Sequence, residues 1–160
     1  MTNPLSAAAQ RFQDGLRAAG HAYEIIEMTA STRTAQDAAN ALGCQVAQIA
    51  KSLVFRGATS NEAILVVASG ANRVDEAKLS ALAGEPIAKA DAAFVQQQTG
   101  FAIGGVPPFG HPTPLRTFID EDLLRFEDIW AAAGSPRAVF KLAARDLPRL
   151  TNGQVVAIAE

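Results

Sequence analysis

The chain holds a single cysteine, Cys44, and only two histidines, His21 and His111, far apart in sequence. One cysteine cannot form an intramolecular disulfide, so no covalent framework supports the fold, and a reducing cytoplasm is the expected location. These three residues lack zinc-site spacing, no motif suggests a metal site built from carboxylates, and no cofactor is expected. No apolar run approaches the length that crosses a bilayer. The opening Met1-Thr2-Asn3-Pro4 lacks the charged-then-apolar pattern of a secretory signal, so no membrane partner is expected. Charge of one sign is also scarce. The 14 basic and 16 acidic residues leave a net charge of −2, and the basic residues are spread along the chain. A general duplex-DNA binder needs a basic arm or stripe, so DNA binding is not expected. Any nucleic acid must be recognised locally, at an end or a single-stranded tip. Ser52 and Ser69 have no histidine at a recognisable spacing, which leaves a serine-hydrolase triad without support.

What is present describes one folded unit spanning residues 1–160. A hydrophobic fraction of 49% against 19% charged residues suits a chain that buries a substantial core. Ser6 caps an expected helix to Ala19 that Gly20 ends, and Tyr23 to Met28 reads as a strand. Thr34 to Asp37 fits a capping box opening a short helix to Leu42, with Gly43 behind it. Ile49 to Arg56 and Ala63 to Ala68 read as two strands joined by the turn Gly57 to Asn61. The second is apolar on both faces, which puts it in the middle of a covered sheet. Helices are expected from Asp75 through Leu82 and from Asp91 through Gln98. Strands follow at Leu115 to Ile119, Ile129 to Ala133, Ala138 to Leu142 and Val155 to Ile158. Helical turns are expected around Asp120 to Leu124 and Arg145 to Leu150. With strands both adjacent and separated by helices, the fold class is mixed α/β (α+β), and the sheet is not purely parallel.

Two features carry chemistry. The segment Gly104-Gly105-Val106-Pro107-Pro108-Phe109-Gly110 packs three glycines and two prolines into seven residues, a stiff loop whose backbone can approach a ligand closely. Its N–H groups at Gly104, Gly105, Val106, Phe109 and Gly110 can clamp a carbonyl, carboxylate or phosphate oxygen. A tight connection between strands is the structural alternative. Lys51 shares a strand face with Ile49, Leu53 and Phe55, an inward-looking row. Its ammonium either snorkels out at the strand end or sits in a partly dry pocket, where it can bind an anion, polarise an ester carbonyl or form a Schiff base. After the most buried strand, Ser69-Gly70-Ala71-Asn72-Arg73-Val74-Asp75 offers an amide and a guanidinium where ligand sites gather, with Asp75 as a helix cap. His111, between Pro112 and the loop, reads as part of an exposed rigid turn, Cys44 as a small buried residue, and Asp120-Glu121-Asp122 as a solvated helix start.

Taken in order, Ile49-Ala50-Lys51-Ser52-Leu53-Val54-Phe55, Gly70 with Asn72-Arg73-Val74-Asp75, the Gly-Gly-x-x-Pro-x-Gly pattern at Gly104, Gly105, Pro108 and Gly110, Ala133-Gly134 and Asp146-Leu147 resemble the YbaK / prolyl-tRNA-synthetase-associated editing-domain family. The resemblance covers nearly the whole chain from the second helix onward. It implies a curved mixed β-sheet surrounded by helices, and a freestanding domain that acts in trans on mischarged aminoacyl-tRNA, typically tRNA for proline. Its implied partners are the aminoacyl-tRNA acceptor end and prolyl-tRNA synthetase. The family's lysine falls on Lys51 and its loop on Gly104 and Gly105, the implied catalytic groups. Ser69, Gly70, Asn72, Arg73, Val106, Pro108, Gly110 and Gly134 are the implied substrate-binding residues.

On that resemblance, the Gly104 and Gly105 amides are expected to hold the ester carbonyl and its developing oxyanion, with Lys51 supplying positive charge. No side chain stands out as a general base, so the water is expected to be oriented by the loop and the substrate's own ribose hydroxyl. Alanine is the first-choice amino acid removed, with cysteine and serine next. A binding module without catalysis, holding an aminoacyl-tRNA end or a nucleotide, is the competing expectation.

Overall fold

A computed structural model describes residues 2–30, 32 and 34–160. Among them lie nine strands and five α-helices. The strands are β1 (Thr2–Asn3), β2 (Ile25–Met28), β3 (Ile49–Gly57), β4 (Ala63–Ser69), β5 (Ile87–Lys89), β6 (Arg116–Asp120), β7 (Asp128–Ala132), β8 (Ala138–Ala143) and β9 (Gln154–Val156). The helices are α1 (Ala7–Ala18), α2 (Ala35–Leu42), α3 (Glu76–Ala83), α4 (Ala92–Thr99) and α5 (Leu147–Thr151). None of these helices is long and apolar enough to cross a membrane.

Helix starts follow the local chemistry of their caps. The Ser6, Thr34, Asp75 and Asp91 side chains each accept a hydrogen bond from an otherwise unpaired first-turn N–H. Gly43, Gly84 and Gly100 close α2, α3 and α4 in the left-handed conformation.

The strands form one mixed sheet in the order β1-β2-β8-β7-β3-β4-β6-β9. The β7–β3, β4–β6 and β6–β9 pairs are parallel and the remainder antiparallel. β4 is buried at every position, as its unbroken apolar run requires. Leu65 and Val67 face the larger core, which also holds Phe12, Phe109 and Phe140. Ile64, Val66 and Ala68 face a second cluster with Leu79 and Phe118. Each of these Val, Leu, Ile and Phe side chains contributes about 1.5–3 kcal/mol by leaving water.

β3 is where the sheet departs from a simple ladder. One edge pairs with β4 over its whole length. The other edge pairs with β7 only at Ile49 and Ala50, and with β5 only from Phe55 to Gly57. Between those contacts the sheet is split.

Several sequence expectations need correction. The second strand starts at Ile25 rather than Tyr23, and the last is Gln154–Val156, with Ala159 making only an isolated bridge to Val74. β1 and β5 were not expected; both are too short to show a periodicity, and partners distant in sequence hold them. The acidic turn after β6 is a 3-10 turn, Glu121–Arg125. Asp120 before it is 1% exposed and not solvated, because its carboxylate is fully used by neighbouring donors. His111 is half-buried, with its ring edge-on to Phe101 and Nε2–H donating to the Pro107 carbonyl at 2.7 Å. It belongs to the packing of the loop, not to an exposed turn.

Candidate active site

The split in the sheet opens a cavity of about 910 Å³ lined by β3 from Ile49 to Phe55. Across the gap stand Trp130, Ala131 and Ala132 of β7 and Lys89 of β5. Ile103, Gly104 and Val106 close it from the glycine–proline loop, and Thr32, Thr34, Ala35 and Pro136 from the rim. The Thr32 hydroxyl donates to the Pro136 carbonyl, which ties the segment before α2 to the β7–β8 turn. Cavities of this size take small organic ligands, and a largely apolar lining with a few fixed polar groups gives orientation as well as affinity.

Lys51 is a charged group of the cavity wall, whose lining also includes Lys89 and Glu76. Its side chain is half-buried, and Nζ donates to the Asn72 carbonyl oxygen at 2.9 Å. Burial pulls its pKa below the ordinary lysine value, while the Asp120 carboxylate works in the opposite direction. A buried carboxylate organises the support beneath it. Asp120 Oδ2 accepts from the Ser69 N–H at 3.0 Å and from Asn72 Nδ2 at 2.9 Å, and Oδ1 accepts from the Asp122 N–H. Asn72 Nδ2 also donates to Asp122 Oδ2 at 2.7 Å. The Asn72 amide is therefore spent on two carboxylates, and its main-chain oxygen holds the lysine.

The loop is rigid for identifiable reasons. Gly105 N–H donates to the Ala102 carbonyl, and the Gly105 carbonyl accepts from Gly134 N–H, both at 2.9 Å. A Cβ on Gly105 would lie 2.9 Å from Ser135 Cα and 3.0 Å from the Gly134 backbone, so only glycine permits this approach. Gly104 adopts φ +87°, the left-handed region, and is exposed at the cavity. At the far end Phe109 packs against Phe12, His21, Tyr23 and Phe140. The turn on the other side is fixed by Glu27, whose carboxylate accepts from the Ser135 hydroxyl at 2.7 Å and the Ser6 N–H at 3.0 Å.

Lys51, Gly70, Gly104 and Val106 meet at the cavity. Among the described residues the Gly104 and Val106 N–H groups have no partner, whereas Gly105 N–H is committed to its own turn. Ser69 is fully buried, with its hydroxyl on the Ala47 carbonyl. Gly70 is required by crowding, since a Cβ would meet the Val46 carbonyl oxygen at 2.5 Å. Arg73 points away into solvent, and its guanidinium sits 3.8 Å from Glu160. Pro108 is buried within the loop, and Gly110 and Gly134 fit closely against α1. Cys44 is half-buried and burial pushes its thiol pKa up, which suits packing rather than nucleophilic attack.

Sequence reasoning missed Lys89, Trp130 and Ile103 as cavity residues and Asp120 as the organiser of the Lys51 support. Ile103 carries a usable signal: a large apolar residue immediately before the double glycine, 56% exposed in the fold. Lys89 and Trp130 carry none, because only the long-range pairing of β5 and β7 brings them there.

Residues 29–150 match the family model of the aminoacyl-tRNA editing domain. The chain is 33% identical over 132 residues to the uncharacterized protein YwhH of Bacillus subtilis (strain 168), covering 82% of this chain and 83% of that protein. A crystal structure of "a putative trans-editing enzyme for prolyl tRNA synthetase" superposes with a TM-score of 0.91 at 47% identity, covering 98% of this chain and 99% of that one. The crystal structure of hypothetical protein APE2540 superposes with a TM-score of 0.83 at 28% identity, covering 92% and 98%. With the family model spanning most of the fold and the split-sheet cavity inside it, the chain belongs to the aminoacyl-tRNA editing domain family.

Proposed function

We propose that the protein is a trans-editing deacylase that hydrolyses the ester between a small amino acid and the terminal ribose of mischarged tRNA for proline. The carrying observation is that one largely apolar cavity gathers a half-buried ammonium, Lys51, and the unpartnered loop N–H groups of Gly104 and Val106. An ester carbonyl that becomes an oxyanion is stabilised by such a set, because the donors are fixed before reaction. Water attacks the carbonyl carbon, the carbonyl oxygen takes the developing charge, and the bond to the ribose oxygen breaks. The ribose oxygen leaves with a proton, and the amino acid departs as a free acid.

Lys51 supplies positive charge to the carbonyl or to the adjacent phosphate. Its anchor on the Asn72 carbonyl fixes where that charge stands. His111, which packs on the loop, is turned to the Pro107 carbonyl, so it does not serve as the base. A neighbouring ribose hydroxyl on the substrate orients the water instead. The prolyl assignment is supported by likeness to the putative trans-editing enzyme, and it makes the acceptor end of tRNA and prolyl-tRNA synthetase the partners, in the cytoplasm where tRNA is charged. The size of the aminoacyl group is limited by a wall of Ala50, Ala131, Val106 and Val139, which suits alanine, cysteine or serine.

The test is deacylation of alanyl-, cysteinyl- and seryl-tRNA for proline beside cognate prolyl-tRNA. Release of one or more small amino acids with prolyl-tRNA spared supports the proposal. Binding of the acceptor end without release of any amino acid identifies a non-catalytic module instead.

A further inference from the structure

Ser52 brings unsatisfied polar groups to the wall of this apolar cavity. Among the described residues its Oγ is the buried side-chain oxygen or nitrogen with no hydrogen-bond partner. The main chain at the same position is open as well. Gly57 N–H bonds to the Glu62 carbonyl and Gly70 N–H to the Ile49 carbonyl, so the odd-numbered residues of β3 exchange their bonds with β4. The even-numbered residues turn their N–H and C=O to the other edge. Ala50 meets β7 there and Arg56 meets β5, which leaves the groups of Ser52 and Val54 facing the gap that forms the cavity.

A buried hydroxyl without a partner is costly, and so is an unpaired strand edge in an apolar surround. A small side chain that donates and accepts at once removes both costs. Resting on the deacylase reading, we propose that Ser52 is a specificity-determining residue, and that the preferred substrate carries a small hydroxylated side chain, seryl before alanyl. On rotation about χ1 the Ser52 hydroxyl pairs with the substrate hydroxyl, whose second hydrogen-bonding position is met by the open β3 edge. An alanyl group fills the same space and leaves all of these groups unpaired, and a cysteinyl thiol pairs only weakly. A site built to hydrogen-bond a substrate hydroxyl discriminates strongly against the analogue that lacks it, whereas an apolar pocket separates such isosteres poorly.

The experiment compares kcat/KM for seryl- and alanyl-tRNA for proline in the wild type, Ser52→Ala and Ser52→Cys. The wild type favours the seryl ester roughly tenfold or more. In Ser52→Ala the seryl-to-alanyl ratio falls by roughly the same factor, with Ser52→Cys between them. A ratio is insensitive to the fraction of folded enzyme, so partial misfolding of a variant does not mimic this result. A wild type that favours the alanyl ester, or a ratio that Ser52→Ala leaves unmoved, overturns the role of Ser52 and leaves the deacylase standing. A wild type that hydrolyses neither of these esters nor the cysteinyl ester overturns both.

Discussion

The Lys51 ammonium is held by the main-chain oxygen of Asn72, while the Asn72 side chain is held by the carboxylates of Asp120 and Asp122. The lysine's position is therefore set two hydrogen bonds away from it, by a buried acid on β6, beyond the intervening β4. Asn72→Ala leaves Asp120 without one of its donors and is expected to cost about 1–3 kcal/mol of stability. It also frees the segment that carries the Lys51 anchor, so turnover should fall tenfold or more in protein that is still folded. Thermal melts alongside deacylation rates separate the two effects. Loss of stability with full turnover would show that the anchor does not matter for chemistry.

Gly105 makes the loop depend on the turn at Gly134 and Ser135. Gly105→Ala places a methyl group against backbone atoms, which cannot yield as a flexible side chain would. Overpacking of this kind costs about 1–3 kcal/mol, and the displaced loop should carry Gly104 out of position. A lowered Tm together with lost deacylation is the expected pair. An unchanged Tm would contradict the close fit.

His111 gives the fold a dependence on pH. Burial lowers its pKa from the ordinary value of 6.5, and the hydrogen bond to Pro107 offsets that only in part. Above 6.5 the residue is neutral in both folded and unfolded chains, and its contribution to stability is complete. As pH falls below 6.5 the unfolded chain takes up a proton that the folded chain resists, so stability declines until the lowered folded value is passed. Melts of the wild type between pH 8 and pH 5 should fall more steeply than those of His111→Asn. Parallel slopes would remove His111 from the account.

Local chemistry was legible in the sequence and long-range geometry was not. Ser6, Thr34, Asp75 and Asp91 announce helix starts because a cap acts within three residues, and the apolar run of β4 announces a covered strand. Lys51 and Gly104 stood out for the same reason: a cation in an apolar row and a glycine pair before prolines are local anomalies. The cavity itself is different. It exists because β7 leaves β3 after Ala50 and β5 joins only at Phe55, and no stretch of β3 records either event. Asp120 looked solvated because its sequence neighbours are acidic, yet its spatial neighbours are the donors of Ser69 and Asn72. Arg73 looked like a phosphate ligand by position, but the turn that buries Ser69 sends it outward.

Because burial lowers the Lys51 pKa, its charge is lost at a lower pH than that of a free lysine. If the charged form acts, kcat/KM corrected for uncatalysed ester hydrolysis should decline on the alkaline side before pH 10.5, the ordinary lysine value. The same decline should be absent from Lys51→Arg, whose guanidinium stays charged throughout. A decline of equal position in both proteins would assign it to another group.

The most direct measurement is single-turnover deacylation of seryl- and alanyl-tRNA for proline by the wild type and Lys51→Ala, with folding of the variant checked by its melt. The account predicts hydrolysis by the wild type and a loss of at least a hundredfold in the folded variant, about 2.7 kcal/mol of transition-state stabilisation. A folded Lys51→Ala that hydrolyses either ester within a few-fold of the wild-type rate would contradict it.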